Sequence, residues 1–121
     1  MIKDTREWIE SIGKTIDTKD AKAFSEFITD DGEFRFGNAE PVIGRKNIED
    51  YVAAFFKMIG SSVHEIPNCW NTGEHIIWEG KVTYTRLDGK VVPVNFTNIF
   101  YMDGDLIKRY LIFIDNTPLF A

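Results

Sequence analysis

Between residues 63 and 114 the chain runs through four strand-like segments, 63–70, 74–87, 90–102 and 105–114. Nothing longer than Asn71-Thr72-Gly73, Asp88-Gly89 or Asp103-Gly104 joins them. Such glycine-ended links accept the positive φ angles of tight hairpin turns, so each segment pairs with its sequence neighbour and the four form an antiparallel meander. Three helix-period segments precede it, and they can bury their apolar stripes only by packing together on one face of that sheet. The expected class is α+β, in a single domain over residues 1–121, a length that buries roughly two thirds of its unfolded surface without staples.

The first helix is expected from Thr5 to Ile16, with Asp4 as its cap, Glu7 answering in capping-box fashion, and Trp8, Ile9, Ile12 and Ile16 on one stripe. Asp17-Thr18-Lys19 reads as a link. Asp20 to Thr29 then repeats the helical pattern with Ala23, Phe24, Phe27 and Ile28, and Asp30-Asp31-Gly32 ends it. Glu33-Phe34-Arg35-Phe36 alternates with period two and reads as a short strand with both phenylalanines inward. The third helix carries Ile48, Tyr51, Val52, Phe55, Phe56 and Ile59 on one face, and Gly60 stops it. In the meander, Val92, Val94, Phe96, Asn98 and Phe100 form a core face. The last strand is apolar on both faces, with Tyr110, Ile112 and Ile114 opposite Leu111 and Phe113. An apolar outer face calls for a cover, and with no further helix available the expected cover is a second copy of the chain, a homodimer through the sheet.

Charge and motif content exclude several functions. A net charge of −5 with 14 scattered Lys and Arg residues does not suit nucleic acid or a membrane surface. The charged start Met-Ile-Lys-Asp-Thr-Arg-Glu is unlike a signal peptide, and no apolar run approaches the ~20 residues of a membrane span. The lone Cys69 suits a reducing compartment, so a cytoplasmic location is expected. His64, Cys69 and His75 lack tight metal-ligand spacing, and Gly37, Gly44 and Gly60 lie too far apart for a phosphate loop, so neither metal nor cofactor is expected.

The order of these elements resembles the nuclear-transport-factor-2-like fold and, within it, the SnoaL-like proteins. Local marks are Thr18-Lys19-Asp20 through Thr29-Asp30-Asp31, Val42-Ile43-Gly44-Arg45 before the third helix, and Asp115-Asn116-Thr117-Pro118-Leu119 at the end. The resemblance implies a cone in which three N-terminal helices pack on a curved antiparallel sheet made of a short first strand plus the four-stranded meander. Residues implied to line its deep pocket are Phe34, Phe36, Tyr51, Phe55, His64, Trp70, Trp78, Tyr84, Phe96, Asn98 and Tyr110. That lining suits a small apolar or aromatic molecule. With ten Phe, four Tyr and three Trp in the chain, the competing expectation is a core whose own side chains fill the cone.

Steroid isomerases of this fold use an aspartate base, a tyrosine and a protonated aspartic acid, and the resemblance places those positions on Phe36, Ile12 and Asn98. None carries the required group, so steroid isomerisation is not expected. Dehydratase or cyclase chemistry needs a base facing the cavity. His64 is the candidate, since it shares an alternation with Ile66 and Trp70, whereas His75 lies nearer the rim. A packed core histidine is the competing reading of His64. Asp115 reads as a cap for the turn that follows it. Two functions stay open. One is binding of a small apolar or aromatic molecule, with SnoaL-like lyase or isomerase chemistry, in which His64, Asn98 and Tyr110 supply the polar contacts and the Asn98 amide donates to a ligand oxygen. The other is a non-catalytic dimeric interaction module whose working surface is the outer sheet face.

Overall fold

The three hairpins form where the glycines put them, with Gly73, Gly89 and Gly104 at φ of 96°, 88° and 60°. A computed structural model describes residues 2–121. Its elements are α1 (Thr5–Asp17), α2 (Ala21–Ser25), β1 (Ile28–Phe36), β2 (Val42–Ile43), α3 (Arg45–Phe56), β3 (Ser61–Asn71), β4 (His75–Thr85), β5 (Val91–Asp103), β6 (Leu106–Ile114) and α4 (Thr117–Phe120). One sheet holds all six strands in the order β2-β1-β6-β5-β4-β3. The meander is antiparallel throughout, while β1 joins β6 in parallel and closes the cone. Among the described residues no helix is long and apolar enough to cross a membrane.

The core face of β5 follows its alternation, with Val92, Val94, Phe96, Asn98 and Phe100 all buried. Asp4 caps α1 as the sequence indicates, its carboxylate accepting the Glu7 N–H at 3.0 Å. Against these elements pack Ile9 and Ile12 of α1 and Ile48, Val52 and Phe56 of α3. Each such side chain contributes about 1.5–3 kcal/mol by leaving water.

Three local expectations are corrected. The second helix ends at Ser25 rather than running to Thr29, because Phe27 and Ile28 are already committed to the sheet. Ile28 pairs with Ile107, and the Ile107 N–H donates to the Phe27 carbonyl at 2.8 Å. A buried Phe-Ile pair suits either period, and pairing across the sheet decides it. The sheet has six strands instead of five, since Val42 and Ile43 pair with Phe34 and Glu33. The third helix stops at Phe56, leaving Ile59 to bury from the loop that follows.

The most consequential irregularity lies in β3. Glu65 pairs with Lys81 and Asn68 with Glu79, so β3 spends one residue more than β4 over the stretch containing Ile66 and Pro67. Because side chains alternate strictly, one extra residue exchanges the two faces of the strand. His64 and Ser62 before the bulge face inward, and Cys69 after it takes the inward side. Trp70 therefore does not share the face of His64. It lies on the outer surface, 50 % exposed.

Candidate functional site

Asp17, the last residue of α1, is where the site begins. Its carboxylate reaches across to the start of β3 and receives three hydrogen bonds. Ser62 Oγ donates to Oδ1 at 2.8 Å, the His64 backbone N–H donates to Oδ2 at 2.9 Å, and His64 Nδ1–H donates to Oδ1 at 2.5 Å. Burial alone would push this carboxyl up. The hydrogen bonds and charge of the imidazole, with help from Ser62, outweigh it and hold Asp17 below the ordinary 3.8. A carboxylate on Nδ1 fixes the tautomer and leaves Nε2 as the free basic nitrogen. The His64 side chain is 9 % exposed and wedged between the rings of Trp78 and Phe96, with centroids 5.6 and 5.7 Å away.

His64 also borders the interior of the cone. Phe34, Phe36, Tyr51, Phe55, His64, Tyr84, Phe96, Asn98 and Tyr110 line a single cavity. The helices and β6 add residues the sequence reading did not include, among them Ile16, Phe24, Val52 and Ile112. About 500 Å³ lies between the lining atoms, but only about 40 Å³ is open to the centre of a water molecule, room for a few waters. The aromatic side chains thus fill most of the cone. Phe36 and Phe55 meet edge to face at 5.0 Å, and with Tyr51 they separate this interior from an outer groove lined by Ala54, Met58, Asn116 and Phe120.

Two tryptophans expected in the lining are elsewhere. Trp70 is turned outward by the β3 bulge. Trp78 is fully buried on the inner face but lies under α1, where its indole N–H donates to the Glu65 carbonyl at 3.1 Å and its ring backs His64. Asp115 serves the turn instead of the cavity. Hydrogen bonding from Thr117 holds its carboxyl low, with the Thr117 N–H at 3.1 Å. Among the described residues no group of three or more His, Cys, Asp and Glu side chains could hold a metal ion.

The polar groups inside the cavity are few. Asn98 is 2 % exposed; its Nδ2 donates to the Tyr110 hydroxyl over a long 3.5 Å, and its Oδ1 has no partner. Burial pushes the phenols of Tyr84 and Tyr110 well above the ordinary 10.0, aided at Tyr84 by the negative charge of Asp17 and at Tyr110 by Tyr84. Both are neutral hydroxyls at any working pH. The cavity therefore combines an oriented imidazole with neutral hydrogen-bonding groups in an otherwise apolar wall.

Asp17 was not singled out from the sequence, where it reads as part of a link. One signal was present: an acidic residue in the last turn of a helix opposes the helix dipole and calls for a compensating partner.

A curved sheet closed by three N-terminal helices around an aromatic cavity is the architecture of the nuclear-transport-factor-2-like superfamily. Within it, this chain belongs to the SnoaL-like domain family, whose profile matches residues 6–110. Solved structures agree in fold. A nuclear-transport-factor-2-like protein of unknown function from Burkholderia pseudomallei superposes with a TM-score of 0.85 at 10% identity, over 98% of this chain and 95% of that one. A ketosteroid-isomerase-like protein from Catenulispora acidiphila, in complex with trimethylamine, gives 0.83 at 16% identity, over 91% and 86%. A protein from a Jannaschia species, described as a SnoaL-like polyketide cyclase, gives 0.76 at 14% identity, over 95% and 90%. Identities this low establish the fold alone. No curated protein sequence matches the chain significantly.

Proposed function

We propose that the protein binds a small, largely apolar or aromatic molecule in the cone and acts on it by lyase or isomerase chemistry of the SnoaL-like cyclase or dehydratase kind, with His64 as general base. The observation that carries this reading is the position of one imidazole between a carboxylate that orients it and a cavity it borders. His64 Nε2 takes a proton from a carbon or hydroxyl acid in the cavity. The resulting imidazolium is stabilised by Asp17, already ionised and held by Ser62. The neutral hydroxyls of Tyr84 and Tyr110 donate to negative charge that develops on a substrate oxygen. Most of the affinity comes from apolar contact, at about 25 cal/mol per Å² buried before ordering costs. Because the open interior is small, binding requires the Phe36 and Phe55 rings to turn toward the outer groove. The description of the Jannaschia protein as a polyketide cyclase supports the reaction class.

The test is His64→Gln against a panel of cyclisable or dehydratable aromatic substrates. Loss of about 10²–10⁴-fold in rate is expected. Undiminished turnover by a folded His64→Gln protein would remove His64 from the reaction.

We further infer a homodimer through the outer sheet face, where Val63, Trp70 and Phe113 are 59 %, 50 % and 46 % exposed on one surface. Sedimentation velocity at micromolar concentration should report the dimer, and Phe113→Glu should shift it to monomer. A wild-type monomer would defeat this reading.

A further inference from the structure

We infer that the inner end of the ligand is a neutral hydrogen-bond donor, a hydroxyl of phenol, enol or alcohol type, received by Asn98 Oδ1. This rests on the cone being a small-molecule site and specifies what the site selects. Asn98 stands on the inner face of β5 between Phe96 and Phe100, both buried, and is itself 2 % exposed. An apolar residue would pack there without penalty. An amide whose oxygen is buried and unpaired is a standing disadvantage to the free protein, one that a ligand donor relieves.

The polarity of the position follows from the Tyr110 contact. The Asn98 Nδ2 group is directed at the Tyr110 hydroxyl, so the amide oxygen is the group left over. Tyr110 accepts that bond and, being neutral, keeps its own proton to donate. The pair therefore offers one acceptor and one donor side by side. A hydroxyl answers both at once, giving its proton to Asn98 and taking one from Tyr110. A ketone or ether can only accept, and would seal Asn98 Oδ1 away from water with nothing bound to it. A protonated amine could donate, but it would bring a charge into an apolar wall whose lining residues include no carboxylate. This reverses the sequence-based expectation that the Asn98 amide donates to a ligand oxygen. It also distinguishes the site from one with a protonated acid at this position, which would favour a carbonyl.

Small probes require the least movement of the Phe36 and Phe55 rings. The protein is titrated with phenol, its near-isostere toluene, its methyl ether anisole, and the pair cyclohexanol and cyclohexanone. Binding is followed by calorimetry and by the side-chain amide resonances of Asn98. Phenol should bind about tenfold tighter than anisole, and cyclohexanol about tenfold tighter than cyclohexanone. Phenol, but not toluene, should shift the Asn98 amide signals. In Asn98→Leu the ratio of phenol to toluene affinity should drop about tenfold; the wild-type comparisons stand without this variant should it fail to fold. A preference for cyclohexanone, or equal affinity for phenol and anisole, overturns the donor assignment while leaving the cone a binding site. Binding of none of the five probes overturns the small-molecule reading itself and this inference with it.

Discussion

Two polar assemblies touch the same cavity, and they are built in opposite ways. At the corner between α1 and β3, the Asp17 carboxylate receives a hydroxyl, a backbone amide and an imidazole, so both of its oxygens have partners in the free protein. Further along the same sheet, on β5 and β6, Asn98 and Tyr110 share one long hydrogen bond and leave an amide oxygen unpaired. The first assembly is complete without a ligand and serves to aim a side chain. The second is incomplete, and only something arriving from the cavity can complete it. Orientation and recognition are thus assigned to different strands, and the contrast predicts opposite responses to removing each polar group.

Asp17→Ala should destabilise the protein by about 2–3 kcal/mol in urea unfolding, since it strands the His64 N–H and the Ser62 hydroxyl in a partly buried corner. Asn98→Leu should change stability by less than about 1 kcal/mol, or raise it, because it removes an amide whose oxygen has no partner. Equal losses at both positions would erase the distinction between the two assemblies.

A smaller effect should appear in acid. The folded-state pKa of Asp17 lies below its unfolded value near 3.8, so the stability it contributes is fully present above that value. It is lost as pH falls through the lower folded-state value. Thermal melts of wild type and Asp17→Asn should therefore converge as pH drops below about 3.8 and differ most above it. A constant gap across that range would mean that the carboxylate's ionisation contributes nothing.

Much of the fold could be read locally because its signals are local. The Asp88-Gly89 and Asp103-Gly104 turns specify their own hairpins, and the strict alternation of Val92 to Phe100 needs only its neighbours to choose a face. Long-range choices left weaker traces. No turn encodes the parallel pairing of β1 with β6, so the early start of β1 at Ile28 was hidden inside a plausible helix. Asp17 meets His64 and Ser62, which lie 47 and 45 positions further along the chain, only once the chain has folded back, which is why a site residue resembled a link. The misplacement of Trp70 has a more specific lesson. Pro67 inside an apparent strand marks a bulge or an edge, and reading that signal would have inverted the face assignment beyond it.

That bulge also bears on how molecules of this protein meet one another. β3 is an outermost strand of an open sheet, and open edges invite strands from other chains to continue the hydrogen-bond ladder. Here the ladder is broken midway. Pro67 has no N–H to offer, and Arg6 Nη1 from α1 donates to the adjacent Ile66 carbonyl at 2.7 Å, occupying an acceptor that an incoming strand would use. The opposite edge, β2, is only two residues long. Neither border can be extended far into a continuous intermolecular sheet, so the fold itself disfavours edge-to-edge polymerisation.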